Sequence, residues 1–336
     1  MYVGIYYAVI LTGTGSSLFG VKFINYLNYF MIFWLFAGTI VFAIGIPCLA
    51  PSHQSAKWVF TEFQNYTGYE NKGIVFFLGL LQAGWTMVGY DGGVTLSENT
   101  KDAARKGPQG IILCVSLALL QGFALTICIL FSIQDFDALL NAESPVSEFL
   151  LQVTRSKPAT IFFLVYMVIS QYGSLANSGV STSRVIWAMS RDGCLPFSNV
   201  LYKLHKDTPI RAVLLLMLIM VLTILPVFGT FIYWQAILST SIIGNNVAYG
   251  LPYFCRLVWS RHDMPKGPFD LGKWSIPLNA IAVLWLCFFT VILCLPTTLP
   301  VNGEVMNYSS LMISVLFIFS ISFWFYKGRR TYNGPY

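Results

Sequence analysis

The stretch Gly84-Trp85-Thr86-Met87-Val88-Gly89-Tyr90-Asp91-Gly92-Gly93 decides how the chain is read, because it sets four glycines, a threonine and a carboxylate inside one of its most apolar parts. Between residues 73 and 93, glycine stands at 73, 79, 84, 89, 92 and 93. Each costs up to about 1 kcal/mol of helix propensity relative to alanine. The composition says which solvent surrounds this weak helix. Of 336 residues, 56% are hydrophobic and only 10% charged, against about a quarter charged in soluble domains, and the mean hydropathy is +0.67. A bilayer fits such a chain, crossed by helices of roughly 20 apolar residues.

Apolar runs separated by charged, Pro-rich or Gly-rich breaks predict about nine crossings, near 4–19, 28–50, 73–95, 110–133, 159–180, 212–229, 231–254, 276–296 and 308–326. The expected fold is therefore all-α, a polytopic membrane helix bundle forming a single transmembrane domain over 1–336 with no soluble domain. If the connections alternate sides, one side collects sixteen of the 20 Lys and Arg residues and the other only Lys57, Lys72, Arg155 and Lys157. Cytoplasmic connections are enriched in Lys and Arg. The bias puts the C-terminus in the cytoplasm, makes the net charge of +6 a matter of topology, and argues against a nucleic-acid partner. With nine crossings the N-terminus would start outside, which implies a further segment upstream. Two N-x-[ST] triplets, Asn65-Tyr66-Thr67 and Asn307-Tyr308-Ser309, both fall on the non-cytoplasmic side, Asn307 close to the ninth crossing.

Covalent chemistry has little support. The seven cysteines form no CxxC pair and read as small hydrophobes, and His53, His205 and His262 all lie in connections. An intramembrane enzyme needs an embedded nucleophile and base or a metal cluster. No crossing holds a histidine. No catalytic residue, metal or cofactor is expected.

The third crossing is where function is expected. A broken helix leaves peptide groups unpaired, tolerable in lipid only where the break faces a cavity or other protein. Secondary transporters place such interruptions near mid-bilayer, where freed carbonyls and half-helix ends hold charged solutes. Counted from Gly73 at about 1.5 Å per residue, Gly84 and Trp85 fall near the middle of a ~30 Å core. The bland reading of each glycine is close helix packing. Asp91, toward the cytoplasmic end, is a candidate for coupling or gating because an acid at membrane depth is costly; the alternative is an interfacial charge paired with a nearby Lys or Arg. Glu98 is a second candidate, or else a structural partner of Lys101 and Arg105. Trp85 offers a face for an ammonium group, worth roughly 0.5–2 kcal/mol, or is an ordinary packed tryptophan. Asn245, Asn246 and Tyr249 on the seventh crossing face the same cavity or satisfy one another between helices.

These residues resemble a known family. Residues 79–91, followed by Leu96-Ser97-Glu98 and Ala103-Ala104-Arg105-Lys106-Gly107-Pro108, are similar to the amino acid–polyamine–organocation (APC) transporters. So is the run from Asn177-Ser178-Gly179-Val180-Ser181 through Arg191-Asp192-Gly193-Cys194-Leu195-Pro196. Gly267-Pro268-Phe269 and the tail from Gly328 to Pro335 are similar to the fungal amino acid, GABA and choline permeases. The resemblance implies a partial LeuT-like fold in which the nine crossings correspond to family helices four to twelve, helices one to three being absent. It implies that Trp85, Thr86, Val88 and Gly89 hold the substrate amine, largely through backbone carbonyls, and adds Asn177 and Ser181 to the cavity lining. It further implies alternating-access transport of an amino acid, GABA, choline or related amine, coupled to a proton or cation, in the plasma membrane or else the vacuolar membrane. The competing expectation is a non-transporting permease-like protein, a sensor or a relic.

Overall fold

The computed structural model describes residues 2–205, 208–228, 231–259, 267–303, 306–332 and 334; the side chains at 2–3, 21–22, 96, 98–99, 227–228 and 231–232 lie outside that description. Among the described residues the fold is helical, the only β pairing being an isolated bridge between His205 and Thr208. The first half runs α1 (Tyr2–Gly15), α2 (Val21–Leu49), α3 (Ala56–Thr61), α4 (Lys72–Gly79), α5 (Leu81–Thr86), α6 (Ala103–Ser132), α7 (Phe136–Asn141) and α8 (Pro145–Thr154). The second runs α9 (Lys157–Arg191), α10 (Ser198–Leu201), α11 (Ile210–Ile224), α12 (Phe231–Val258), α13 (Ser275–Cys294), α14 (Ser309–Phe323) and α15 (Arg329–Thr331).

All nine predicted crossings carry helix. Among the described residues, five are long and apolar enough to span a bilayer: Phe23–Leu49, Ala103–Ser132, Lys157–Arg191, Gly272–Cys294 and Ser309–Thr331. Local chemistry explains the other four. The first helix ends after 14 residues in its Thr-Gly run and continues as a 3-10 turn, Ser16–Phe19. The third is interrupted. The sixth, Ile210–Ile224, is apolar but only 15 residues long. The seventh, α12, is long but diluted by Gln235, Ser239, Thr240, Ser241, Asn245 and Asn246. Lipid as solvent also explains the outward faces: Phe33 and Leu284 are each 71% exposed and Leu120 is 68% exposed, which water would penalise and acyl chains do not.

The chain divides into two compact units, Met1–Gln64 with Leu113–Ala188 and Val200–Leu218, and Asn65–Ile112 with Met189–Asn199 and Ile219–Tyr336. In the first unit Phe42, Ile46, Ile133, Phe149, Leu150, Val153 and Phe163 form the core, bringing α2, α8 and α9 together. Helix ends there follow their capping residues: Ser55 accepts from the Trp58 amide at the start of α3, and Asp135 accepts from Ala138 at the start of α7. Pro145 opens α8, where its missing N–H costs nothing. Lipid supplies no hydrophobic drive between helices, so close packing and polar ties must hold the unit. Gly38 lies against the Tyr166 ring and Gly173 against Met31, each too near for a side chain. Gln121 Nε2 donates to Thr39 Oγ1, tying α6 to α2.

In the second unit Ile242, Ile243, Phe289 and Leu293 form the core, with Leu80, Leu81, Trp85, Val247 and Ile313 packed on it. Asn246 Nδ2 donates to Thr290 Oγ1 at 3.3 Å, linking α12 to α13. Beside that bond a mostly apolar groove of about 370 Å³ runs between the two helices, lined by Gly250, Leu251, Phe254, Val283, Leu286 and Cys287. All seven cysteines are free thiols. In the connection after α9, burial, reinforced by the Asp192 carboxylate, pushes the Cys194 thiol up, which disfavours the thiolate.

Candidate functional site

The third crossing starts at a conventional cap, where Asn71 Oδ1 accepts from the Gly73 amide at 2.8 Å. From there α4 runs to Gly79, a kink follows at Leu80, and α5 runs from Leu81 to Thr86. Met87 caps it, its amide donating to Ala83 O at 3.1 Å. The α-helix stops there. Residues 87–93 form turns, with Gly92 N donating to Gly89 O at 3.1 Å and Val94 N to Asp91 O at 2.8 Å, before a 3-10 helix, Val94–Asn99, leads on. A helix that ends in this way leaves its last carbonyls without helical donors. The interruption expected from the glycines is present, and it begins after Thr86 rather than at Gly84.

Two glycines explain the geometry differently. Gly89 has φ +88°, a left-handed conformation that L side chains rarely adopt, and it stands in open space, with no atom within 4 Å of where a Cβ would be. Its role is conformational. Gly84 remains helical, and a Cβ there would come within 2.5 Å of Phe289 Cε1. Its role is packing. Gly84→Ala is therefore expected to overpack the second unit's core, lowering stability by about 1–3 kcal/mol, read as a lower melting temperature in detergent. The double variant Gly84→Ala with Phe289→Leu should recover part of that loss. An unchanged melting temperature for Gly84→Ala alone would show that the contact is loose.

The expected site residues do not all meet. Trp85 packs, half-buried, on the second unit's core; this is the bland reading of that side chain. Thr86 and Val88 are exposed beside the break, and Thr86 Oγ1 donates back to Gln82 O at 3.0 Å. Glu98 belongs to the 3-10 helix, but its side chain lies outside the described residues. Asn177 and Ser181 lie on α9 in the first unit, where Asn177 Nδ2 donates to Gly173 O at 3.2 Å. Asn246 is spent on Thr290.

The residues that do converge are on the break and on α12. Tyr90 and Tyr249 stack with ring centroids 5.7 Å apart and planes tilted by 35°. The Tyr249 hydroxyl faces the Asp91 carboxylate, and Tyr253 is close to both tyrosines. Among the described residues no Lys or Arg forms an ion pair with Asp91. Asn245, Tyr249 and Tyr253 share one face of α12 through their spacing of four. Tyr253 was missed by sequence reasoning, although that spacing from Tyr249 was visible. The assembled chemistry is a carboxylate, phenol hydroxyls and stacked aromatic faces beside released peptide carbonyls. Carboxylate and aromatic faces both favour an organic cation. Among the described residues no cluster of His, Cys, Asp or Glu could hold a metal ion.

The model of a family described as amino acid permease matches residues 1–319. The chain belongs to the amino acid permease family. The chain is 32% identical over 349 residues to the "Amino-acid permease BAT1 homolog" of rice, covering 98% of this chain and 65% of the relative. It is 32% identical to an uncharacterized amino-acid permease of Schizosaccharomyces pombe, covering 88% of this chain and 56% of that one. It is 29% identical to the choline transporter of Saccharomyces cerevisiae, covering 87% of this chain and 53% of the relative. The chain thus spans between about half and two thirds of the length of these curated relatives. Its apolar helices and its family make it an integral membrane protein with an all-α, APC-type fold.

Proposed function

We propose that the permease is a secondary active transporter that moves an amino acid or a related amine, such as GABA or choline, by alternating access. The observation that carries this reading is the break at residues 87–93, with left-handed Gly89 beside the Asp91–Tyr249–Tyr90 cluster. Carbonyls released around Trp85, Thr86 and Val88 accept hydrogen bonds from the substrate's ammonium group, Gly89 supplies the unwinding, and the cluster at Asp91 couples or gates the cycle. Glu98 assists that coupling, while Asn245 with Tyr249 on α12 contributes polar lining. Relatives named as an amino-acid permease and a choline transporter agree with a substrate that carries a cationic nitrogen. The 336 residues act as one transmembrane permease domain, equivalent to family helices four to twelve, in the plasma membrane with the C-terminus in the cytoplasm. Transport needs binding and rocking motion and no covalent step.

The test is uptake of labelled neutral amino acid, GABA and choline into vesicles from cells expressing the chain, with and without a proton or sodium gradient. Accumulation that collapses with the gradient is expected for one of these substrates. Counts no higher than in vesicles without the protein, for all three and under both gradients, would overturn the proposal.

A further inference from the structure

We propose that Asn65 carries an N-linked oligosaccharide and that the second sequon, at Asn307, does not. A glycan is bulky, so the finished fold must present its asparagine to solvent whether the sugar arrives before or after folding. Asn65 meets that condition. It is exposed in the connection between α3 and α4, on a tight turn in which its Oδ1 accepts from the Thr67 amide at 3.0 Å and from Thr67 Oγ1 at 2.8 Å. Its Nδ2 makes one bond, to Tyr69 O at 2.7 Å.

The turn is fastened through the residues that follow Asn65. Leu299 N donates to Thr67 O at 2.7 Å, Tyr69 hydroxyl donates to Pro296 O at 2.9 Å, and Gly68, at φ +78°, lies so near Leu299 O that no side chain fits between them. Asn65 is exposed beside this anchor, and the neighbouring Tyr66 is 59% exposed.

Asn307 is used up by the fold. Its Nδ2 donates to Leu293 O at 2.7 Å and to Leu295 O at 2.9 Å, its Oδ1 accepts from the Ser309 amide at 3.1 Å and from Ser309 Oγ, and Ser309 is fully buried. A sugar on that nitrogen would remove one of the two N–H donors that close the end of α13 and would have to fit where Asn307 is half-buried beside the buried Ser309. The same contacts bear on sidedness: the Thr67–Leu299 and Tyr69–Pro296 bonds place the segments before α4 and after α13 on one side of the membrane. Lysine and arginine are scarce in both segments, as expected of a lumenal face.

The modification forms a bond from Asn65 Nδ2 to the anomeric carbon of an oligosaccharide donated by a lipid-linked pyrophosphate. The anomeric C–O bond breaks, the pyrophosphate leaves with its electron pair, and the amide gives up one proton. No oxidation occurs. The experiment is expression of the full chain in a eukaryotic host, with the membrane fraction treated by an amidase that removes N-glycans and examined by gel mobility. Wild type and Asn307→Gln should each show one mobility step on treatment, which Asn65→Gln and Thr67→Ala should lack and Thr67→Ser should keep. An unshifted wild type in the membrane fraction, or a step that survives Asn65→Gln, overturns the proposal. Because the readout is mobility and not uptake, it stands or falls separately from the transport reading.

Discussion

Replacing Gly89 by alanine is expected to cut uptake about tenfold, and replacing it by valine to abolish it. The residue sits at φ +88° with no atom near a side chain at that position, so the penalty is purely conformational. Left-handed backbone costs an L residue roughly 1–2 kcal/mol, a factor of about 5–30 in an equilibrium between broken and straightened forms. A β-branched residue fares worse there, and asparagine, which tolerates left-handed backbone, fares better. The order of uptake should therefore be glycine, asparagine, alanine, valine. Gly79, which also has open space around it but lies at the end of α4 without a positive φ, is the control: Gly79→Ala should change uptake little. Equal activity across the Gly89 series would remove the break from the mechanism, whatever the overall activity of the protein.

The second large effect is expected at Asp91. Asp91→Asn keeps the shape and one acceptor oxygen but replaces the other with an NH2 donor and removes the charge, and should lower gradient-driven accumulation at least about tenfold, the scale of a lost charged hydrogen bond of about 1.5–3 kcal/mol. Tyr249→Phe keeps the ring stacked on Tyr90 while removing the hydroxyl that faces the carboxylate, so its effect should be smaller. If the two groups act as a unit, the double variant will resemble Asp91→Asn alone, with an interaction energy of about 0.5–3 kcal/mol. Strict additivity would assign them separate roles. Substrate exchange measured without a gradient separates the functions further: retained exchange in Asp91→Asn marks coupling, whereas lost exchange marks binding or gating.

Much of this architecture was legible in the sequence because the membrane enforces it locally. Apolar runs between charged, Pro-rich or Gly-rich breaks put helix in each predicted crossing, though not the short helices of the connections, and the crowding of glycine around Asp91 announced the break that residues 87–93 contain. The resemblance to APC transporters, carried by residues 79–91 and 177–196, agreed with the family that matches residues 1–319. The glycines, however, look alike in one dimension. Gly84 and Gly89 differ only because Phe289, on α13, fills the space beside the first and nothing fills the space beside the second. Asn245 and Asn246 likewise read as a pair until α13 supplied Thr290 to one of them. The two sequons obey one pattern; the sequence already set Asn307 close to the ninth crossing, and the hydrogen bonds to Leu293 O and Leu295 O show how the fold uses its amide.

What the sequence determined by itself was the solvent and the places where helix could not continue, since hydropathy and the cost of glycine in a helix depend on a residue and its immediate neighbours. Tertiary structure alone decided which glycine opens the chain and which lets a ring approach, and which tyrosines gather around Asp91. Those outcomes depend on side chains brought together from distant helices, where van der Waals contact and hydrogen bonding act over a few ångströms of space and take no account of separation along the chain.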